Sequence, residues 1–148
     1  MADMLCTEAQ DVLSRGARDI PPIWEWAMAM KAGRAVSMPV PFGIIHSCPG
    51  MDWRHTGLPP AEYRFWLSQI PANGGNIWHS ITGFPDTIED KRILSAVREV
   101  NQNIARCEDA MDGAVSAAET VLLWNGGASA CGWFDALTAT HVQFDLLD

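Results

Sequence analysis

Short β-like runs alternate with longer helical stretches along the whole chain, and this alternation limits the fold more than any other feature of the sequence. A strand followed by a helix and then by another strand favours parallel pairing through right-handed crossovers. The predicted strands are residues 3–10, 42–47, 74–82, 120–124 and 142–147. The predicted helices are residues 21–33, 58–70, the stretch that follows residue 86, and 133–141. The sequence therefore predicts an α/β fold.

The helix that follows residue 86 has the clearest periodicity. Asp86 and Glu89 have the spacing of a capping box, with aspartate as the cap. Apolar side chains then recur at spacings of four and three, which is typical of a helix with one buried stripe. These are Ile93, Val97, Val100, Ile104 and Cys107.

Composition and charge limit the partners of the chain. Its 148 residues are enough for one domain of common size, and its net charge of -8 argues against nucleic acid, which requires clustered Lys and Arg. No apolar run approaches the roughly 20 residues of a membrane-spanning helix, so no membrane partner is expected. The start "MADMLCTEAQ" lacks the features of a signal peptide, which favours a cytoplasmic location. The four cysteines are widely spaced, and we expect them to be buried free thiols.

Polar and aromatic residues follow the first three predicted strands at the point where each strand ends. Ligands of α/β sheets and barrels meet the carboxyl ends of the strands and the loops after them. We therefore expect these residues to share one end of the fold and to form a binding site. The candidates are Glu8, His46, Asp52, Trp53, Arg54, His55, Trp78 and His79.

The chemistry of these side chains suits carbohydrate. Glycoside hydrolysis uses two carboxyl groups roughly 5–9 Å apart, and Glu8 and Asp52 are the two that qualify by position. His, Arg and Trp suit recognition of hydroxyl groups and stacking on a sugar ring. Because neighbouring strand residues point to opposite faces, Trp78 and His79 cannot both face the ligand, and we favour His79. The alternative is that Glu8 is a solvated carboxylate and that most of the seven tryptophans belong to the core.

Other chemistries find little support in the motifs. The histidines show neither H-x-H nor H-E-x-x-H spacing, so no metal is expected, although a small metal-dependent hydrolase remains a third hypothesis. The paired glycines at 74–75 and 126–127 do not form G-x-G-x-x-G, so no nucleotide cofactor is expected. Ser47 beside His46 lacks a G-x-S-x-G elbow, which disfavours a serine hydrolase.

The run "WRHTGLPPAEYRFWLSQIPANGGNIWHSITGFPDT" (53–87) resembles the end of the catalytic barrel in a group of fucosidase-like (β/α)8 glycoside hydrolases. In that group a β-galactosidase trimerisation-type domain follows the barrel. "DMLCTEAQ" and "FGIIHSCPG" would be the two preceding barrel strands. "AETVLLWNGG" and "WFDALTATHVQFDLL" are similar to the opening strand–helix–strand of the flavodoxin-like trimerisation domain.

This resemblance implies an incomplete barrel at 1–112, a hinge at 113–119 and the start of a flavodoxin-like domain at 120–148. It implies a fragment of a carbohydrate-active glycoside hydrolase that contributes strand-end residues to a sugar site, within a parent protein that forms trimers. The strand that carries the nucleophile in the fucosidase-like pattern has no counterpart here, so the chain alone is expected to be inactive. The alternative function is a non-catalytic structural or assembly segment.

Overall fold

The computed structural model describes residues 5–8, 22–36, 40–50, 53–84 and 86–148. Within these ranges five strands alternate with four helices. The strands are β1 (Cys6–Thr7), β2 (Phe42–His46), β3 (Asn76–Ser80), β4 (Thr120–Leu123) and β5 (Phe144–Leu147). The helices are α1 (Glu25–Ala35), α2 (Pro60–Ala72), α3 (Arg92–Met111) and α4 (Ala128–Ala139). The predicted alternation is therefore confirmed for the described part of the chain.

The strands form two small parallel sheets. One sheet has the order β1–β2–β3, and β4 pairs with β5 in the other. In the first sheet Phe42 lies opposite Asn76, and His46 lies opposite Ser80. All three pairings are parallel, as the strand–helix alternation predicts, and the fold class is α/β.

The main core lies between the first sheet and helices α1, α2 and α3. α2 begins with Pro60 at its first position, where the missing N–H costs no hydrogen bond. It ends at a turn in which Gly74 takes a φ of 75°, a conformation that favours glycine. The buried side chains of this core are Trp26, Met30, Ile45, Leu58, Tyr63, Trp66, Leu67, Ile70, Ile93, Ala96 and Val100.

A second, smaller core forms around β4, β5 and α4. Phe134, Phe144 and Leu146 are buried there, and the rings of Phe134 and Phe144 meet edge to face at 5.0 Å. Helix α1 packs against this core as well as the first, since Lys31 Nζ donates to the Phe144 carbonyl at 2.7 Å. The indole N–H of Trp24 donates to Asp135 at 2.7 Å. One helix therefore contacts both cores.

The start of α3 differs from the predicted capping box. The helix begins at Arg92, and Asp86 lies in a turn several residues earlier, in which the Thr87 and Ile88 amides donate to the Phe84 carbonyl. The carboxylate that accepts a backbone N–H at the helix start is Asp90, whose Oδ1 lies 3.2 Å from the Arg92 nitrogen. The capping box at Asp86 and Glu89 is therefore wrong, because the turn delays the helix beyond both residues.

Two further expectations are corrected by the structure. Helix α4 was predicted to begin at residue 133, but it begins at Ala128, because "ASAC" continues into a helix directly after the turn at 125–127. Burial of the cysteines holds for Cys48, whereas Cys6 and Cys107 are exposed and Cys131 is half-buried. All four are free thiols. The apolar stripe on α3 is buried at Ile93 and Val100, but its last predicted residue, Cys107, is exposed.

Candidate functional site

The first sheet has two different faces. Gly43 and Ile45 of β2 point towards the helices, since Ile45 is buried in the main core and a Cβ at Gly43 would lie 2.3 Å from Ile70 Cδ1. Side chains alternate along a strand, so the residues between them point the other way. We call this side, which points away from the helices, the far face. It carries Phe42, Ile44 and His46 of β2 and, by register, Asn76, Trp78 and Ser80 of β3.

Glu8 and His46 meet at the carboxyl end of the sheet on the far face. Cys6 lies opposite Phe42, so Glu8, two residues on, is on the same side as His46. The Glu8 carboxylate Oε1 contacts the His46 imidazole at Nε2. The His46 side chain is 17% exposed and that of Glu8 is 47% exposed. The structure therefore brings together two of the candidates that the sequence placed at the ends of different strands.

Ser80 completes a row of three polar side chains. Its Oγ lies 2.9 Å from His46 Nδ1, so the imidazole contacts a carboxylate at one nitrogen and a hydroxyl at the other. The Ser80 carbonyl accepts the Ser47 amide at 2.9 Å, which extends the β2–β3 pairing one residue beyond the strands. The row therefore joins the ends of three neighbouring strands.

Trp78 and His79 lie on opposite faces, as the alternation requires, and the face shared with His46 is that of Trp78 rather than that of the favoured His79. His79 Nε2 lies 3.3 Å from Asn101 Oδ1 of α3, so this histidine points towards the helices. Its Nδ1 is buried and lacks a hydrogen-bond partner among the described residues. Trp78 is on the far face and is 47% exposed. The parity of β3 is fixed by Ile77, which packs on the main core.

The loop after β2 carries the next three candidates. Trp53 is 61% exposed, and the Thr56 amide donates to the Trp53 carbonyl in a tight turn. Arg54 and His55 are exposed neighbours, with Arg54 Nε 3.4 Å from His55 Nε2. Asp52, the expected second carboxylate, lies outside the described residues. The loop therefore places an exposed aromatic, a cation and an imidazole beyond the end of β2.

This loop is fastened to α3 by Asp90. Its Oδ2 accepts the Gly57 amide at 2.9 Å and Arg92 Nη2 at 2.6 Å, and its Oδ1 accepts Arg92 Nε at 2.8 Å. The hydrogen bonds from the Arg92 guanidinium, with that from Gly57, hold the pKa of Asp90 well below its usual range. Leu58 then enters the core, and its amide donates to the Ser47 carbonyl at 2.7 Å.

A buried tyrosine supports the sheet from beneath. The Tyr63 hydroxyl donates to the Ile45 carbonyl at 3.4 Å, one residue before His46. Burial is the main cause that raises the pKa of Tyr63, and the nearby Cys48 adds to it. Tyr63 therefore stays neutral and acts as a hydrogen-bond donor that positions β2.

The described residues show neither a metal-binding cluster nor a membrane-spanning helix. Within those ranges, no group of three or more His, Cys, Asp or Glu side chains is arranged to hold a metal ion. Among the same residues, no helix combines the length and apolar character needed to cross a membrane.

Sequence reasoning missed the part played by Ser80. The residue ends β3 and was visible as a strand-end hydroxyl, but its pairing with His46 depends on the β2–β3 register. A G-x-S-x-G search does not find this serine, because Ser80 lies in "WHSIT", which lacks the two flanking glycines. Comparison of the chain with protein-family models, curated proteins and solved structures finds no match.

Proposed function

We propose that this chain is part of a carbohydrate-active glycoside hydrolase and contributes strand-end residues to its sugar-binding active site. The observation that carries the proposal is the contact between Glu8 and His46 on the far face, at the carboxyl ends of parallel strands. Ligand sites of α/β sheets and barrels form at this end. The neighbouring exposed Trp78 supports it, because an indole face stacks on the apolar face of a pyranose.

In this proposal each candidate has a separate task. Glu8 is the catalytic acid or base, and Asp52 supplies the second carboxyl group that glycoside cleavage requires. His46 orients Glu8, Trp78 and Trp53 stack on the sugar, and Arg54 and His55 bind its hydroxyl groups. His79 supports β3 from the helix side.

The architecture belongs to the same proposal. The sheet β1–β2–β3, with helices on one face, is a sector of a (β/α)8 barrel within residues 1–112. The segment 113–119 is a hinge, and β4–α4–β5 opens a flavodoxin-like domain in 120–148. The resemblance of residues 53–87 to fucosidase-like glycoside hydrolases supports this arrangement. The parent protein is then a cytoplasmic trimer.

The test is glycoside cleavage with matched variants. The chain of residues 1–148 is incubated with chromogenic α-fucosides and β-galactosides, and the parent enzyme, once identified, is assayed in the same way. Glu8→Gln should lower cleavage in the parent by about 10²-fold or more, as expected for loss of a general acid or base. Glu108→Gln, an exposed glutamate on α3, is the control and should leave cleavage unchanged. Equal activity of the two variants would reject the site.

A second function is favoured by one surface of the small sheet. Val121, Leu123 and Leu147 are 57%, 73% and 52% exposed, and the register places Leu123 opposite Leu147. Parallel sheets are normally covered on both faces, so this surface suits a structural or assembly segment. The assembly function predicts that the chain self-associates in light scattering and that Leu123→Lys restores a monomer, and a monomeric unsubstituted chain would reject it.

A further inference from the structure

We propose that Ser80, His46 and Glu8 act as nucleophile, base and orienting carboxylate in the hydrolysis of small carboxylic esters. The observation is the row in which Ser80 Oγ lies 2.9 Å from His46 Nδ1 while Glu8 contacts Nε2. This activity goes beyond glycoside cleavage, in which Ser80 has no part. The ester hydrolysis requires Ser80, and the proposed glycoside cleavage does not depend on this second activity.

The geometry of the row matches the requirements for an activated serine. A nucleophilic hydroxyl needs a base within hydrogen-bond reach, and the base needs a third group that fixes its orientation. Such a constellation is recognised by geometry and roles rather than by sequence order. Here His46 and Ser80 lie opposite each other at the ends of β2 and β3, and Glu8 directly follows the adjacent parallel strand β1.

The accessibility of the row also fits. Ser80 is only half-buried, as a residue that meets a substrate must be, whereas the His46 side chain is 17% exposed and is shielded from most solvent. Ile44 and Trp78 lie opposite each other on the same face, two residues before His46 and Ser80. They offer an apolar surface for a short acyl or aryl group, so the substrate class is a small, apolar ester.

His46 can accept and return every proton that the reaction transfers. With the neutral imidazole protonated at Nε2, His46 donates to the Glu8 carboxylate and accepts the Ser80 hydroxyl proton at Nδ1. Ser80 Oγ attacks the carbonyl carbon, its proton moves to Nδ1, and the C–O bond to the alcohol breaks. The departing alkoxide takes that proton. Water then attacks acyl-Ser80 by the same route and releases the acid and the free serine.

The test uses a fluorophosphonate, which needs only an activated serine. Ser80 Oγ would attack phosphorus, the new O–P bond would form, and fluoride would leave while His46 takes the hydroxyl proton. The chain is treated with the probe, its intact mass is measured by mass spectrometry, and the labelled residue is identified by peptide mapping. We expect one adduct per chain, on Ser80, together with turnover of p-nitrophenyl butyrate.

Variants separate a catalytic row from a structural one. Ser80→Ala should abolish the adduct and lower ester turnover at least tenfold, and His46→Gln should slow labelling by about 10²-fold or more. Ser95→Ala, at an exposed serine of α3, should change neither. Circular dichroism melting checks the fold, and Ser80→Ala removes only one oxygen, so this variant decides the matter if His46→Gln does not fold.

An adduct on another serine, no adduct at all, or unchanged turnover in Ser80→Ala would overturn the proposal. Glycoside cleavage and sugar binding measured on Ser80→Ala report separately on the proposed function. A chain that binds sugar but does not react with the probe would retain the first proposal and reject this one.

Discussion

His46 and Ser80 lie directly opposite each other in the β2–β3 register, and His46 Nδ1 is 2.9 Å from Ser80 Oγ. The contact links the last residues of two parallel strands on the far face. The imidazole is mostly shielded from water, so the hydrogen bond contributes to stability as well as to the geometry of the site.

We predict a measurable coupling between these two residues. Ser80→Ala should lower the free energy of unfolding by about 1 kcal/mol, the usual value for one hydrogen bond. In a double-mutant cycle with His46→Ala, measured by urea unfolding, the two effects should fall short of additivity by about 0.5 kcal/mol or more. Ser95→Ala combined with His46→Ala should be additive. Full additivity of the Ser80 pair would mean that the contact is absent in solution.

We predict that His79 is replaceable by an apolar residue. It points towards α3, and its Nδ1 is buried without a partner among the described residues. His79→Leu should keep the free energy of unfolding or raise it by up to ~1 kcal/mol, because an unsatisfied buried nitrogen is removed. It should leave sugar binding unchanged, whereas Trp78→Ala should weaken binding. Loss of binding in His79→Leu with normal stability would place the histidine in the site after all.

We predict that any side chain at Gly43 destabilises the fold, because there is no room for it. A Cβ there would lie 2.3 Å from Ile70 Cδ1, and Ile70 is fully buried. Gly43→Ala should cost about 1–3 kcal/mol of unfolding free energy, as overpacking does, and Ile70→Val in the same chain should recover part of it.

The matched control for this glycine lies on α4. A Cβ at Gly132 meets no atom within 4 Å, so Gly132→Ala should stabilise the helix by about 0.5–1 kcal/mol. Denaturant unfolding measures both changes. Equal effects at Gly43 and Gly132 would contradict the close packing of β2 on α2.

The hydrogen bonds that Asp90 accepts from Gly57 and Arg92 make the stability of the chain depend on pH. The pKa of Asp90 is lowered below the value of about 3.9 that an unfolded aspartate has, so its contribution is fully present above about pH 5. The contribution is lost as the pH falls through 4 towards the lower folded-state pKa. At pH 7 Asp90→Asn should lower the melting temperature relative to the unsubstituted chain. Below pH 4 this difference in melting temperature should become smaller.

Asp109→Asn, at an exposed carboxylate of α3, should have the same melting temperature as the unsubstituted chain at every pH. A gap for Asp90→Asn that stays constant from pH 7 to pH 3 would show that the charge of Asp90 is unimportant.

Local pattern predicted most of the elements. The helix predicted at 58–70 corresponds to α2, whose side chains Tyr63, Trp66, Leu67 and Ile70 are all buried in the main core. The parallel pairing followed from the strand–helix alternation. The start of α3 was misplaced because turn formation around Phe84 outweighs the capping pattern at Asp86 and Glu89. The start of α4 was misplaced because the helix begins directly after Gly127, before the predicted start at residue 133.

The candidate site was predictable only in outline. That strand ends collect at one edge follows from parallel topology, and Glu8 and His46 do meet there. Which face each strand residue takes depends on a parity that is set by packing, here Ile45 and Ile77 against the helices. A shift of one residue exchanges the faces, so His79 could not be separated from Trp78 by alternation alone. The Ser80 contact requires the register itself.

The central claim, a sugar site on the far face, is tested most directly by an NMR titration of the tryptophan indoles. Uniformly ¹⁵N-labelled chain is titrated with L-fucose and with D-galactose, and the indole signals are assigned with Trp78→Phe and Trp133→Phe. Trp133 is 61% exposed on α4, next to the small sheet, and serves as the internal control. We predict that the Trp78 signal moves and saturates with one of the sugars while the Trp133 signal stays. A Trp78 signal that does not move, or that moves in step with Trp133, would contradict a sugar site at these strand ends.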